Sequence, residues 1–257
     1  MKRKLQNITD KLWACSAVFL ILILWQTVSS LGIIDSFLLP SPIGVGKAFI
    51  EEFSELMGHS VVTLSEAFLG LALGIFLGFV MAVLMDHFEV LYKAFYPILV
   101  LTQTVPTVAI APLLVLWFGY EMMPKIILIV ITTFFPIAVG LLNGFRSVDA
   151  DGVNLMRAMG AGRWQIFRFI KLPAALSRFF SGLRISASYA VVGAVISEWL
   201  GGFSGLGVYM TRVRKAFAFD KMFAVIFLVS FISLLLMKGV DLLQKKCMPW
   251  EDLKADE

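Results

Sequence analysis

From Ala94 to Tyr120 the chain runs without a single Asp, Glu, Lys or Arg. A segment of that length and character fits the apolar interior of a bilayer, whereas a soluble domain would have to bury it on every side. Five further apolar runs accompany it. The six expected spans are 12–34, 61–85, 94–118, 126–145, 181–200 and 222–243. Composition agrees: 59% of the 257 residues are hydrophobic, only 16% are charged, and the mean hydropathy is +0.88. Ordinary globular chains are roughly a quarter charged. The expected fold class is therefore an all-α membrane protein of about six transmembrane helices. The first run follows Met1-Lys2-Arg3-Lys4 and could pass for a signal peptide, but it is too long for a signal core and has no small-residue cleavage site, so it reads as a retained helix.

Charge placement predicts orientation. Lys2, Arg3, Lys4 and Lys11 precede the first span, and the 146–178 connection carries Arg146, Arg157, Arg163, Arg168, Lys171 and Arg178. The 35–60 segment carries Asp35, Glu51, Glu52 and Glu55. Positive residues stay on the cytoplasmic side, which puts both termini and the 146–178 connection there. Arg212, Arg214 and Lys215 fall on the opposite side under this assignment, held by packing or facing a cavity.

Several residues within the spans carry mechanical meaning. Gly70, Gly74 and Gly78 recur every fourth position and predict a small-residue face for close helix packing. Pro97, Pro106 and Pro112 interrupt the third span. Each removes a backbone donor, which a membrane tolerates where protein or a wet cavity re-satisfies the carbonyls. Either a kinked structural helix or a lining of the transport path follows. Gln103, Thr104, Pro106 and Thr107, with Glu198, are the candidate path residues. Glu66 and Glu198 are expected at the membrane interface with their carboxylates in water, and Arg184 is expected to snorkel.

No catalytic constellation is present. His59 and His87 stand apart in expected loops, and Cys15 and Cys247 share no metal or disulfide spacing. A Gly-x-x-x-x-Gly-Lys-Ser/Thr loop is missing, so the chain itself is expected to bind no ATP, metal or cofactor. Between Asn154 and Pro173 the apolar residues Leu155, Met159, Ile166, Phe167 and Ile170 recur at helical spacing, Gly160 and Gly162 interrupt them, and Pro173 ends the run. Two short amphipathic helices meeting at a glycine turn are predicted. A helix with an apolar stripe and a basic face either lies on anionic lipid or docks into a groove on a partner.

The same segment resembles the cytoplasmic signature of binding-protein-dependent ABC importer permeases: E-A-A, three residues, Gly, nine residues, Ile, one residue, Leu-Pro. Asn154, Leu155 and Met156 stand at the E-A-A positions, followed by Gly160, Ile170 and Leu172-Pro173. All three E-A-A letters differ here. Pro40-Ser41-Pro42, Pro106 to Leu113, Trp117-Phe118-Gly119, Phe145 to Asp149, and Glu198-Trp199-Leu200-Gly201-Gly202 with Gly205-Leu206-Gly207 resemble the sulfonate, taurine and nitrate branch. Val208 to Phe223 is similar to a subgroup associated with thiamine precursors. The resemblance covers roughly residues 38 to 245.

That resemblance implies a type I importer core over residues 58–243 behind a peripheral helix at 12–34. It implies a coupling surface for an ATPase subunit made by Asn154, Leu155, Met156, Arg157, Ala158, Gly160, Ala161, Leu172 and Pro173. It further implies a homodimer in a prokaryotic plasma membrane, two ATPase subunits that use ATP and magnesium, and an external solute-binding protein, with no nucleic acid among the partners. The solute would be a sulfonate, nitrate, taurine or a thiamine-precursor-like heterocycle. A self-sufficient secondary transporter or channel is the competing reading. It calls for internal repeats and buried ion-coupling pairs, and no repeat is visible.

Overall fold

The computed structural model describes residues 2–250, with side chains described at Trp13 and from Ser16 onward. Those residues form eleven α-helices joined by short turns, with no strand among them. In chain order the helices are α1 (Lys2–Ser30), α2 (Pro42–Glu51), α3 (Phe53–His87), α4 (Glu89–Thr102), α5 (Thr107–Phe118), α6 (Met122–Arg146), α7 (Ala150–Ala158), α8 (Arg163–Ile166), α9 (Leu172–Leu200), α10 (Leu206–Lys215) and α11 (Phe219–Cys247).

About six spans were expected, the third of them interrupted by prolines. Among the described residues four helical segments are long and apolar enough to cross a membrane: Phe53–His87, Met122–Arg146, Arg163–Leu200 and Phe219–Cys247. A fifth crossing is made only if α4 and α5, bent by 99° at the intervening break, count as one. The apolar part of α1, Ser16–Ser30, is shorter. The third expected span is therefore not a single rod. Pro106 withholds a backbone donor and forces Val105 out of helical geometry, so the ladder stops at Thr102 and restarts at Thr107. Pro97 and Pro112 are instead absorbed inside α4 and α5.

The chain divides into two units. Among the described residues, the first comprises 2–58 and 209–228. Its α2 is capped by Ser41, whose hydroxyl accepts from the Gly44 amide at 3.1 Å, with Pro42 at the first helical position. Trp25 of α1 lies against the rings of Phe223 and Phe227, each at 5.7 Å. Lys221 pairs with Glu52, and that ammonium holds the Glu52 carboxyl below its ordinary range. Arg212 pairs with Glu55 and covers the Tyr209 ring at 4.9 Å, so packing holds this member of the basic trio.

Among the described residues, the second unit comprises 59–208 and 229–250. Its centre is the α6–α9 pair, where small residues bring two backbones together. A Cβ on Gly144 would lie 2.5 Å from Ala175 Cα, and one on Gly140 2.9 Å from the Arg178 carbonyl oxygen. A Cβ on Gly182 would overlap the Pro136 carbonyl. Ser186 then donates across the interface to the Thr133 carbonyl at 2.8 Å. On the other flank, Gly70, Gly74 and Gly78 of α3 face Ile129, Thr133 and Ile137 of α6. Replacing Gly182 with alanine is expected to cost about 1–3 kcal/mol, because the backbones must part. Alanine at Gly239, whose added Cβ meets nothing within 4 Å, is the matched control in a detergent melting assay. Equal midpoints for the two variants would refute the contact.

Other expectations are corrected. His59 and His87 belong to α3 rather than to loops. Glu66 and Glu198 are 2% exposed and do not reach interfacial water. Arg184 keeps its guanidinium partly exposed, 2.5 Å from Asp241, and donates to Gln244 at 3.2 Å. Pro173 does not end a separate short helix. The chain passes from α8 through one π turn, Phe167–Lys171, directly into α9. In that turn the Leu172 amide reaches back to the Phe167 carbonyl, a register shift that accommodates the donor missing at Pro173.

Candidate functional site

Three groupings of polar or exposed residues stand out, all within the second unit. The first is the turn between α7 and α9. Asp149 caps α7 by accepting from the Asp151 amide at 3.1 Å. The helix ends in a paired closure: Ala161 donates to the Met156 carbonyl and Gly160 to the Arg157 carbonyl, both at 2.9 Å. This Schellman geometry needs a left-handed residue, and Gly160 supplies it at φ +84°. Gly162 then donates to Gln165 Oε1 at 2.7 Å and opens α8.

No residue of α7 is buried. Leu155, Met159 and Trp164 are each more than 60% exposed, although they are large and apolar. Trp164 also lines a cavity of about 520 Å³. Its walls include Asp86 and His87 from the end of α3, with Arg157, Arg163, Trp164 and Lys171. Lys171 donates to both Asp86 oxygens at 2.8 Å, and Phe167 packs on Phe145 of α6 at 5.4 Å. The turn is thus tied to three long helices, α3, α6 and α9. A force applied to α7 has a stiff path into the spans, and that is the mechanical capacity of this surface.

Of the candidate coupling residues, Arg157 alone lines the cavity. Asn154 is exposed on α7, Ala158 ends that helix, and Leu172 and Pro173 begin α9. Lys171 was read only for its charge and His87 only as an isolated histidine, and Asp86 and Trp164 were not singled out from the sequence. The available signal was a paired charge at the end of one apolar run and in the basic connection.

The second grouping surrounds the α4–α5 break. Residues 101–106 are exposed throughout. Gln103 and Thr107 line a cavity of about 180 Å³ together with Thr132 and Tyr189. Gln103 and Tyr189 also line a second cavity of about 450 Å³, with Asn143 and Arg178. Thr104 and Pro106 lie in the break itself. Tyr189, Asn143 and Arg178 were missed, because spacing alone does not reveal which face of α9 stays uncovered. In α9 the residues Arg178, Ser181, Ile185, Tyr189 and Val192 are exposed along one stripe.

The third grouping is a buried polar network. Lys125 donates to Glu66 at 2.6 Å, with both side chains under 7% exposed. Glu198 accepts from Thr63 at 2.8 Å and from the Gly207 amide at 2.6 Å. Thr63 accepts in turn from the Leu206 amide, and His59 Nδ1 from the Gly205 amide, both at 2.9 Å. The turn after α9 is thereby wrapped around a carboxylate. A Cβ at Gly205 (φ +123°) would overlap the Glu198 carboxylate, which explains the glycines there. Glu198 is a clamp for this turn and lines neither of the two cavities at the break.

Residues 74–248 match the family described as binding-protein-dependent transport system inner membrane component. The chain is 36% identical over 251 residues to the formylaminopyrimidine transport permease protein of Halalkalibacterium halodurans, covering 97% of this chain and 98% of that one. It is 32% identical over 234 residues to a permease protein named for aliphatic sulfonates transport in Bacillus subtilis, covering 90% and 85%. Among solved structures, an inward-facing methionine ABC transporter chain superposes with a TM-score of 0.63 at 21% identity, covering 74% of this chain and 95% of that one. That likeness is one of fold.

Proposed function

Because this chain belongs to the binding-protein-dependent transport system inner membrane components and is thus the multi-pass permease of an ABC importer, we propose that two copies of it enclose the path for a small nitrogen heterocycle of the formylaminopyrimidine kind. Each copy receives one ATPase subunit on its α7–α8 turn, and an external binding protein delivers the solute. ATP and magnesium act in the ATPase subunit; this chain supplies no chemistry of its own. Both termini and the α7–α8 turn face the cytoplasm, in accord with the basic residues gathered there.

The exposed apolar face of α7 carries the docking half of this reading. Leu155 projects from α7, a helix with no buried residue, Met159 from its C-terminal cap and Trp164 from α8, and the turn is anchored through Lys171 and Phe167 to the long helices. Such a face marks a surface that a partner covers. Nucleotide-driven closure of the ATPase pair would then bias the bundle between two arrangements. The near-complete match to the formylaminopyrimidine permease supports the solute class.

The test is purification of the tagged chain from its native membranes, followed by uptake in vesicles. Recovery of an ATPase subunit in equal amount is expected, and the Leu155→Asp variant is expected to lose at least about nine-tenths of it, a loss of 1.4 kcal/mol or more in docking. ATP-driven entry of formylaminopyrimidine is expected over taurine. Recovery of the chain alone, transporting without ATP, overturns the reading in favour of a secondary transporter. Preference for taurine overturns the solute class.

A further inference from the structure

The break between α4 and α5 sits within an otherwise uncharged stretch. Non-helical backbone at membrane depth is tolerated only where protein buries it or water reaches it. Here residues 101–106 are exposed in the single copy, so the break faces either a second copy or a wet path. Local hydroxyls satisfy part of the broken ladder: Thr102 donates to the Leu99 carbonyl at 2.7 Å and Thr104 to Leu101 at 2.8 Å. The side chain of Gln103 makes no such local bond and finds no partner among the described residues. The same holds for the hydroxyl of Tyr189, a residue 49% exposed.

These two residues are shared by both cavities at the break. The smaller cavity offers Thr107 and Thr132 and no charge, and the larger offers Asn143 and the lone cation Arg178. Where they meet, each copy offers a passing solute one carboxamide and one phenol. A carboxamide presents a donor and an acceptor side by side, and it matches a ring edge that carries an acceptor nitrogen beside an amino group. The phenol adds an aromatic face on which a planar ring stacks and a hydroxyl at its rim. A sulfonate offers only acceptors to this pair, so the carboxamide oxygen would face its negative charge, and Arg178 lines the larger cavity but not the smaller.

We propose that Gln103 and Tyr189 form the selective partition between the two cavities, and that they read a planar heterocycle whose ring nitrogen lies beside an exocyclic amino group. The inference rests on the reading of this chain as a transport path. Gln103 pairs with the ring edge while Tyr189 stacks on its face. Each copy contributes two uncharged groups only, so the solute is checked and released rather than held.

The experiment uses the whole importer, copurified with its ATPase subunit, assembled in vesicles with its binding protein. Labelled formylaminopyrimidine is the probe and taurine the control. Gln103→Leu and Tyr189→Leu are each expected to lower ATP-driven probe uptake about tenfold, through loss of paired polar groups and stacking. ATP hydrolysis should stay within about twofold of the parent, since neither residue touches the docking surface. Tyr189→Phe keeps the ring and is expected to retain most uptake. Both side chains are unpartnered in the folded chain, so assembly should be intact. As an independent check, Gln103→Cys and Tyr189→Cys are placed in a background with Cys15 and Cys247 replaced by serine. They should react with a membrane-impermeant thiol reagent and be protected by the probe. Unchanged uptake in both leucine variants, or cysteines that are neither labelled nor protected, overturns the partition. A parent complex that moves neither probe with ATP overturns the transport reading beneath it.

Discussion

Replacing Lys125 with methionine will sharply lower the amount of folded protein and the melting midpoint of the purified chain. The Lys125 ammonium lies 2.6 Å from Glu66 inside the bundle, and both side chains are almost fully buried. Methionine has nearly the same length, so packing changes little, while Glu66 is left without its cation. Removing one member of a buried ion pair costs about 3–5 kcal/mol. Glu198 stands in the same network and already uses a backbone amide and the Thr63 hydroxyl. A second stranded carboxylate close by adds to the penalty. The Glu66→Gln/Lys125→Met double variant removes both charges and should recover most of the loss, which makes the coupling measurable as a double-mutant cycle. If Lys125→Met melts with the parent, the pair is not closed in the protein as it exists.

Valine at Gly160 is the second large perturbation, and its effect is on coupling rather than on accumulation. Gly160 sits at φ +84°, and its amide and that of Ala161 close the end of α7. A β-branched residue there is strained by about 1–2 kcal/mol, because its Cβ meets the neighbouring carbonyl. The surroundings are open, with nothing within 4 Å of an added Cβ, so the penalty is one of backbone conformation and not of a clash. The chain should fold with α7 released from its closing bonds. ATP hydrolysis by the assembled importer should continue while uptake per ATP falls by about tenfold or more, the size of an ordinary coupling free energy. Asparagine tolerates the left-handed region and should restore much of the coupling. Alanine at Gly152, which has helical geometry and open space, should behave as the parent. Normal uptake per ATP in Gly160→Val would falsify the role assigned to this turn.

Much of the architecture was legible in the sequence because bilayer burial acts on composition over long windows. An uncharged run such as Ala94–Tyr120 must be accommodated in apolar surroundings whatever its neighbours do. The glycine at 160 and the spacing to Leu172-Pro173 were equally legible, since a left-handed closure and a missing donor are properties of single residues. Family membership follows from the same string and from its match to relatives across nearly the whole chain.

Tertiary structure decided the pairings, because a partner distant in sequence leaves no local mark. Glu66 was expected at the interface and nothing local marks Lys125 as its partner; only the approach of α3 to α6 makes them a pair. Glu198 was expected at a watery interface; the glycine turn at 201–207 instead folds back over it and supplies a backbone amide. The three prolines marked the third span as irregular, yet they did not tell which would break it. Pro97 and Pro112 are carried inside helices, and the chain turns by 99° at Pro106. Tyr189 reaches the break because one face of α9 is taken up against α6 by Gly182, Ser186 and Gly193, which leaves the opposite stripe uncovered. Hydropathy and backbone propensity are additive along the chain and can be read from it, whereas burial of a specific polar group depends on which helices meet.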